Sequence, residues 1–187
     1  PSTRLLSYVE LIKDYLDAGV LDRAEQLCLD LIEKNEINSE ILSLLLRVYQ
    51  TERKWLKAID IARQSEQLYQ FQISTDIAHY HAEIGYEMYQ LGQYQKMSDC
   101  FFKALEVNPN CVRVHYLRVL VNIQRKDFLA IIDSCDYLER YAPDLLCYLF
   151  QLCFDNRKSI EADVYHDIIS YINRVISNYP YLFFLLT

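Results

Sequence analysis

The chain repeats itself every 34 residues. Ala24 and Ala58 lie 34 positions apart, in the similar settings LDRA and WLKA. Pro109 and Pro143 are also 34 apart, and each closes a segment whose apolar residues have helical spacing. A fixed period of this length is typical of repeat architectures, in which each unit buries its apolar face only by stacking on its neighbours.

The composition favours helices over strands. The 187 residues include only 3 Gly and 4 Pro, which are too few turn-forming residues for a sandwich, a barrel or a doubly wound sheet. With 52% hydrophobic and 24% charged residues, the chain is typical of folded proteins rather than disordered ones. Thirty-four residues is the period of the tetratricopeptide motif, which has two antiparallel helices per unit. We therefore predict an all-α tetratricopeptide-repeat array, a right-handed superhelix (α-solenoid) of about five helix pairs.

The apolar and small positions of this motif arrange the chain as a single array of five units. The predicted units are residues 5–38, 39–73, 77–110, 111–144 and 145–180, and residues 181–187 begin a truncated further helix. The second helix of the fifth unit is expected to run from about Ala162 to Asn178. Because the chain opens without methionine and stops within an apolar run, we expect it to be a segment of a longer protein.

Individual positions fit the motif unevenly. In the third unit, Gly85 stands where a small residue is expected and Phe101 where a large apolar one is expected. Met97 stands where a small residue is usual, which predicts that the two helices of this unit lie slightly apart. In the fourth unit, Arg118 and Asn122 occupy positions that are normally apolar.

The concave face of such a superhelix is lined by the first helix of each unit and is the candidate binding surface. Aromatic and arginine side chains on an exposed surface are typical anchors of protein interfaces. The predicted partner-binding residues on this face are Lys13, Asp17, Arg47, Gln50, His79, Tyr86, Tyr89, Arg113, Tyr116, Leu120, Phe150 and Phe154.

Simpler roles stand beside this interpretation. Tyr86, Phe150 and Phe154 have the helical spacing of ordinary core residues. Lys13, Arg47 and Arg113 would equally fit a solvated charged face. The set of Lys, Asn and Arg with which chaperone-binding repeats hold an acidic peptide terminus is absent from the sequence, which argues against a co-chaperone.

No pattern in the sequence predicts a catalytic or metal site. The six cysteines include no C-x-x-C pair, and most lie in apolar segments typical of reduced core thiols. His79 and His81 are two residues apart, so on a helix they point about 200° away from each other and cannot share a metal. An enzyme with a Cys–His pair formed in space is a minor alternative. A net charge of −7 argues against nucleic acid as a partner.

Several segments resemble the lipopolysaccharide assembly protein B family of Gram-negative bacteria. They are residues 14–25 (DYLDAGVLDRAE), 45–50 (LLRVYQ), 55–60 (WLKAID) and 77–80 (IAHY). YINRV at 171–175, followed by Pro180, resembles the family's late repeats. The spacing between the second and third units grows from 34 to 39 residues, and the similarity includes this longer connection. The similarity is weakest from about residue 147 to 167.

The resemblance implies a regulatory adaptor rather than an enzyme. Members have an N-terminal inner-membrane anchor, cytoplasmic repeats and a C-terminal rubredoxin-like metal domain with two C-x-x-C pairs. The present sequence includes neither the anchor nor those pairs, so no cofactor is expected in this segment and membrane contact is expected only through such an anchor. The implied partners are a membrane AAA protease, the deacetylase that commits flux to lipid A, and an inner-membrane lipopolysaccharide sensor, at the cytoplasmic face of the inner membrane. A homodimer is a further possibility, and a generic peptide-binding tetratricopeptide module with an unrelated partner is the alternative function.

Overall fold

The computed structural model describes residues 3–70, 73–127 and 129–182, and this part of the chain contains ten α-helices and no strand. The helices are α1 (Thr3–Asp17), α2 (Leu21–Glu33), α3 (Ser39–Thr51), α4 (Trp55–Tyr69), α5 (Ser74–Gln90), α6 (Tyr94–Val107), α7 (Val112–Arg125), α8 (Ile132–Tyr141), α9 (Asp144–Asp155) and α10 (Ala162–Asn178). Short 3₁₀ turns occupy Leu129–Ile131, Arg157–Ser159 and Pro180–Leu182. The predicted all-α repeat fold is confirmed, and α10 has the predicted bounds.

The helices stack in the order of the sequence. Within the pairs α1–α2, α3–α4, α5–α6 and α7–α8, each first helix contacts the helix that follows it. Each second helix then contacts the first helix of the next pair, and α7 also contacts both α5 and α9. First helices therefore lie side by side in a row, which gives the array one face made mainly of α1, α3, α5, α7 and α9.

Tight turns separate the helices of a pair. Gly19 and Gly92, each the second residue after α1 and α5, adopt the left-handed conformation (φ 71° and 73°), where glycine carries no steric penalty. In the second unit Arg53 adopts the same conformation, with φ 55°. At the start of α3, the side chain of Asn38 accepts a hydrogen bond of 2.8 Å from the backbone N–H of Ile41, a standard N-cap.

Three clusters of buried apolar residues follow one another along the array. The first extends from Val9 to Tyr80, the second from Ala78 to Leu117, and the third from Val119 to Leu182. Adjacent clusters are joined by half-buried residues such as Val107 and Leu120, which pack against two of them. The core is therefore a continuous strip, as expected of stacked repeats.

The third unit differs from expectation in one respect. Met97 was expected to hold α5 and α6 apart, but these two helices share the most extensive contact between neighbouring helices in the part of the chain that is described. Met97 is only half-buried, so its flexible side chain does not separate the helix backbones. Gly85 instead allows a close approach to the ring of Phe101.

Two further points concern the predicted ends and membrane spans. The truncated helix predicted for residues 181–187 falls mainly on 183–187, which lie outside the described residues, and Tyr181 and Leu182 belong to a 3₁₀ turn. No described helix is both long enough and apolar enough to cross a membrane.

Candidate functional site

A cleft of about 550 Å³ opens where the N-terminal turns of α5, α7 and α9 lie side by side. The loop between α6 and α7 contributes three further residues to its wall. The lining residues are Thr75, His79, Asn108, Asn110, Cys111, Val112, Arg113, Tyr116, Leu145 and Tyr148. We call this the first-helix cleft, because three first helices supply most of its wall.

A charged cluster forms one part of the cleft wall. Glu83 is largely buried, and it accepts a hydrogen bond from Nε of Arg113 across the α5–α7 contact. Nε2 of His79 lies 3.6 Å from the same Glu83 oxygen. The Arg113 guanidinium also lies over the ring of Tyr116, 5.5 Å from its centroid. Within the described residues, its two terminal nitrogens have no hydrogen-bond acceptor, so they remain available to a ligand.

Two asparagines in the α6–α7 loop add further donors. The side-chain oxygen of Asn108 accepts a hydrogen bond of 3.0 Å from the backbone N–H of Asn110. The side-chain oxygen of Asn110 accepts one of 3.2 Å from the hydroxyl of Tyr137. Each amide oxygen thus accepts one hydrogen bond, whereas neither amide nitrogen donates to a described residue, so both nitrogens are donors available to a ligand. Together with Arg113, they give the cleft donors that suit the carbonyl oxygens of a peptide.

Exposed apolar side chains complete the cleft. Leu145 and Tyr148 on α9 are 38% and 56% exposed. Tyr116 lies between them and Arg113, and its pKa is raised by burial and by the neighbouring Tyr148. Large side chains that are exposed at the edge of a concave, partly apolar surface are typical anchor points for a protein partner.

The structure brings only part of the predicted binding face into this cleft. Of the predicted residues, His79, Arg113 and Tyr116 line it. The N-terminal predicted residues lie along the same row of first helices and contact other residues of the chain. Lys13 pairs with Glu40 on α3 at 3.1 Å, and Arg47 lies 3.5 Å from Asp17 on α1. Gln50 donates a hydrogen bond to the hydroxyl of Tyr80. Tyr86 and Tyr89 stack on each other, with ring centroids 6.1 Å apart.

Phe150 requires a correction. It is 3% exposed and meets the ring of Tyr171 edge-on, with centroids 6.3 Å apart, so it is a core residue and not a partner contact. Leu120 and Phe154 are half-buried and pack against the third buried cluster. The apolar periodicity of α9 therefore reflects core packing at Phe150, which is the alternative role given above for this residue.

Sequence reasoning missed several cleft residues. Thr75, Asn108, Asn110, Leu145 and Tyr148 lie near helix starts or in a loop, outside the motif positions from which the concave face was predicted. The sequence of α9 carries no clear signal for Tyr148, because apolar residues occur almost all round this helix. In the structure, Leu146, Leu149 and Cys153 define its buried side, which leaves position 148 on the opposite side of the helix.

Burial raises the pKa of all six thiols, which disfavours the reactive thiolate form. All six cysteines are free, and burial raises the pKa of Cys28 to about 12 and that of Cys153 to about 11. Burial also raises the pKa of the Cys111 thiol in the cleft. Burial and the neighbouring Arg118 lower the pKa of His115 to about 4. In the ranges that the structure describes, no group of three or more His, Cys, Asp or Glu side chains is placed to hold a metal ion.

The fold and the cleft together define an α-helical repeat protein of the tetratricopeptide kind. No protein-family model matches the chain. A solved tetratricopeptide repeat protein from Parabacteroides merdae aligns with 96% of this chain and 72% of its own, with 19% identity and a TM-score of 0.48.

Sequence comparison gives a more particular similarity. Lipopolysaccharide assembly protein B of Escherichia coli K12 is 27% identical over 131 residues, which are 70% of this chain and 34% of that protein. The protein of the same name from Haemophilus influenzae is 31% identical over 124 residues, which are 66% of this chain and 31% of that protein. The resemblance found in the repeat segments is therefore confirmed. The chain spans about one third of the length of these relatives.

Proposed function

We propose that this chain is the partner-binding segment of a non-enzymatic adaptor, and that a protein partner docks in the first-helix cleft. The observation that carries the proposal is the cleft itself, in which unpaired donors of Arg113 and the asparagines lie beside the exposed ring of Tyr148. Such an adaptor acts by holding two other proteins at a high effective concentration. It makes and breaks no covalent bond.

We further propose that the adaptor acts in lipopolysaccharide assembly, since the relatives that share this repeat segment carry that name. Its partners would be the deacetylase that commits flux to lipid A, the membrane AAA protease that degrades it, and an inner-membrane lipopolysaccharide sensor. The site of action would be the cytoplasmic face of the inner membrane. Delivery of the deacetylase to the protease would limit lipopolysaccharide synthesis.

The test uses the full-length gene product with purified deacetylase and protease, and compares two exposed aromatic residues. Tyr148 is 56% exposed in the cleft, and Phe102 is 62% exposed on α6, outside it. Truncation of an interface anchor costs about 2 kcal/mol, so Tyr148→Ala should weaken binding of one partner by roughly 30-fold. Phe102→Ala should change the affinity by less than about threefold, because scattered exposed side chains contribute little.

Circular dichroism of both variants should match that of the unchanged protein, since neither side chain is buried. Two results would contradict the proposal at different levels. Binding of both proteins that is unaffected by Tyr148→Ala would exclude the cleft as the docking site. Absence of any binding to either protein would exclude the proposed pathway and leave an adaptor with an unrelated partner.

A further inference from the structure

A second cleft lies on the other side of α7, and it contains three residues that depart from the repeat pattern, Met97, Arg118 and Asn122. It has a volume of about 180 Å³ and lies between α6 and α7. Its lining residues are Met97, Ser98, Phe101, Arg118, Val121 and Asn122. Tyr116 and Arg118 are two residues apart and point about 200° away from each other around the helix, so this Arg118 cleft is distinct from the first-helix cleft.

Arg118 is a half-buried cation without an internal partner. No hydrogen bond or ion pair joins its guanidinium to any residue that the structure describes. Burial lowers the pKa of Arg118, and no carboxylate in the described part of the chain opposes that effect. Arg113, the half-buried arginine one and a half turns earlier, is in contrast bonded to Glu83. An unpaired charge that is partly removed from water is costly, which makes Arg118 a candidate for binding an external anion.

The rest of the cleft determines which anion fits. Asn122 donates to the backbone oxygen of Ala130 at 3.3 Å, which leaves its second N–H free, and the exposed Ser98 hydroxyl supplies another donor. Met97, Phe101 and Val121 make the remaining surface apolar. One planar guanidinium matches one carboxylate in a two-bond geometry, whereas a phosphate dianion would bring two charges to a single cation.

We propose that the Arg118 cleft binds a carboxylate carried on a short apolar stem. The guanidinium of Arg118 holds the two oxygens, Ser98 and Asn122 donate to them, and the stem lies against Phe101 and Val121. Two sources have this chemistry: an acidic side chain of a partner protein and a small free carboxylic acid. The site is independent of the first-helix cleft and of the pathway proposed above.

The test follows the side-chain amide resonance of Asn122 by NMR in the isotopically labelled chain, at constant ionic strength. Sodium butyrate is titrated against butyramide, which has the same shape without the charge, and against inorganic phosphate. We expect a saturable shift with butyrate at an affinity at least tenfold higher than with the other two. Arg118→Met should abolish the shift, whereas Arg23→Met, which removes an exposed arginine on α2, should leave it unchanged.

Thermal unfolding separates loss of binding from loss of folding. Because methionine suits a normally apolar position, Arg118→Met should raise Tm in the absence of ligand, and butyrate should raise the Tm of the unchanged chain but not that of the variant. Equal affinities for butyrate and butyramide, or a titration that survives Arg118→Met, would overturn the proposal.

A short capped peptide with one central glutamate distinguishes the two sources. If the peptide binds at least tenfold more tightly than butyrate, and its glutamine counterpart does not, the ligand is a partner's side chain. If butyrate binds as tightly as the peptide, the ligand is a small carboxylic acid. Either result supports the carboxylate site.

Discussion

Replacement of Gly85 by alanine tests whether the close approach of α5 and α6 requires a residue without a side chain. A Cβ atom at position 85 would lie 2.7 Å from both Cδ1 and Cε1 of Phe101, and 3.3 Å from Cβ of Cys100. Carbon atoms pack at about 3.5–4.0 Å, so the ring would have to move by about 1 Å. Phe101 is 2% exposed and shares its buried cluster with Ala82 and Ala104, so there is little room for that movement.

The magnitude follows from two opposing effects. Alanine is more favourable than glycine within a helix by about 1 kcal/mol. Overpacking of a filled core costs about 1–3 kcal/mol, and the confined ring of Phe101 places this site near the upper end. We therefore expect Gly85→Ala to lower the free energy of unfolding by about 1.5 kcal/mol. For a chain of this size, that loss corresponds to a fall in Tm of about 3–6 °C, measured by circular dichroism at 222 nm.

A second substitution shows whether the ring is the cause. Phe101→Leu removes Cε1 and replaces the rigid ring with a branched chain whose Cδ atoms can rotate away, so in the double variant the loss caused by Gly85→Ala should largely disappear. The matched control is Gly92→Ala, where no atom lies within 4 Å but φ is 73°. That variant should lose about 1 kcal/mol through backbone strain alone, and Phe101→Leu should not restore it. Full stability of Gly85→Ala, or strict additivity with Phe101→Leu, would refute the reasoning.

Two predictions concern pH. Burial raises the pKa of Glu25, but hydrogen bonds from Lys54 and Lys57 outweigh burial and lower the pKa to about 2. The ionised carboxylate therefore stabilises the folded chain above about pH 4.5, and this stabilisation is lost as the pH falls towards 2. Glu25→Gln should therefore be less stable by on the order of 2 kcal/mol at pH 7, and urea midpoints should show the difference shrinking below pH 4.5; a constant difference would contradict this. Burial lowers the pKa of His115 to about 4 in the folded chain. Because only the unfolded chain protonates this imidazole as the pH falls from about 6.5 to 4, the free energy of unfolding decreases across that range. His115→Phe should flatten the decrease, and an imidazole NMR titration with a midpoint near 6.5 would exclude the cause.

The repeat period made the fold predictable, because each unit imposes the same demands on the same positions. Large and small residues at fixed spacing placed the helices, including α10 at Ala162–Asn178. The prediction that Met97 holds α5 and α6 apart was wrong for a local reason. A long flexible side chain can turn towards solvent, whereas the approach of two helix backbones is decided by positions such as Gly85, where a Cβ would collide. Sequence position alone does not distinguish these two outcomes.

The binding surface was only partly predictable, since it depends on how neighbouring units meet. The row of first helices follows from the motif, and three of its predicted residues, His79, Arg113 and Tyr116, line the cleft. In α9 apolar residues occur almost all round the helix, so periodicity could not separate the buried Phe150 from the exposed Tyr148. The asparagine donors lie in a loop whose place beside α9 is set by tertiary packing.

The contrast between the two arginines of α7 shows how a repeat array accommodates polar groups in its middle. Glu83 of the preceding unit neutralises Arg113, so the cost of burying that charge is offset across the contact between units. Arg118 has no such partner among the described residues, so the free-energy cost of partly burying its charge weakens the contact between α6 and α7. Because each unit contacts only its neighbours, the destabilisation stays local while the buried clusters on either side hold α7 in place. A helix supported by α5 on one side and α9 on the other can therefore carry two separate clefts, and substitution of a residue in one leaves the other available for independent measurement.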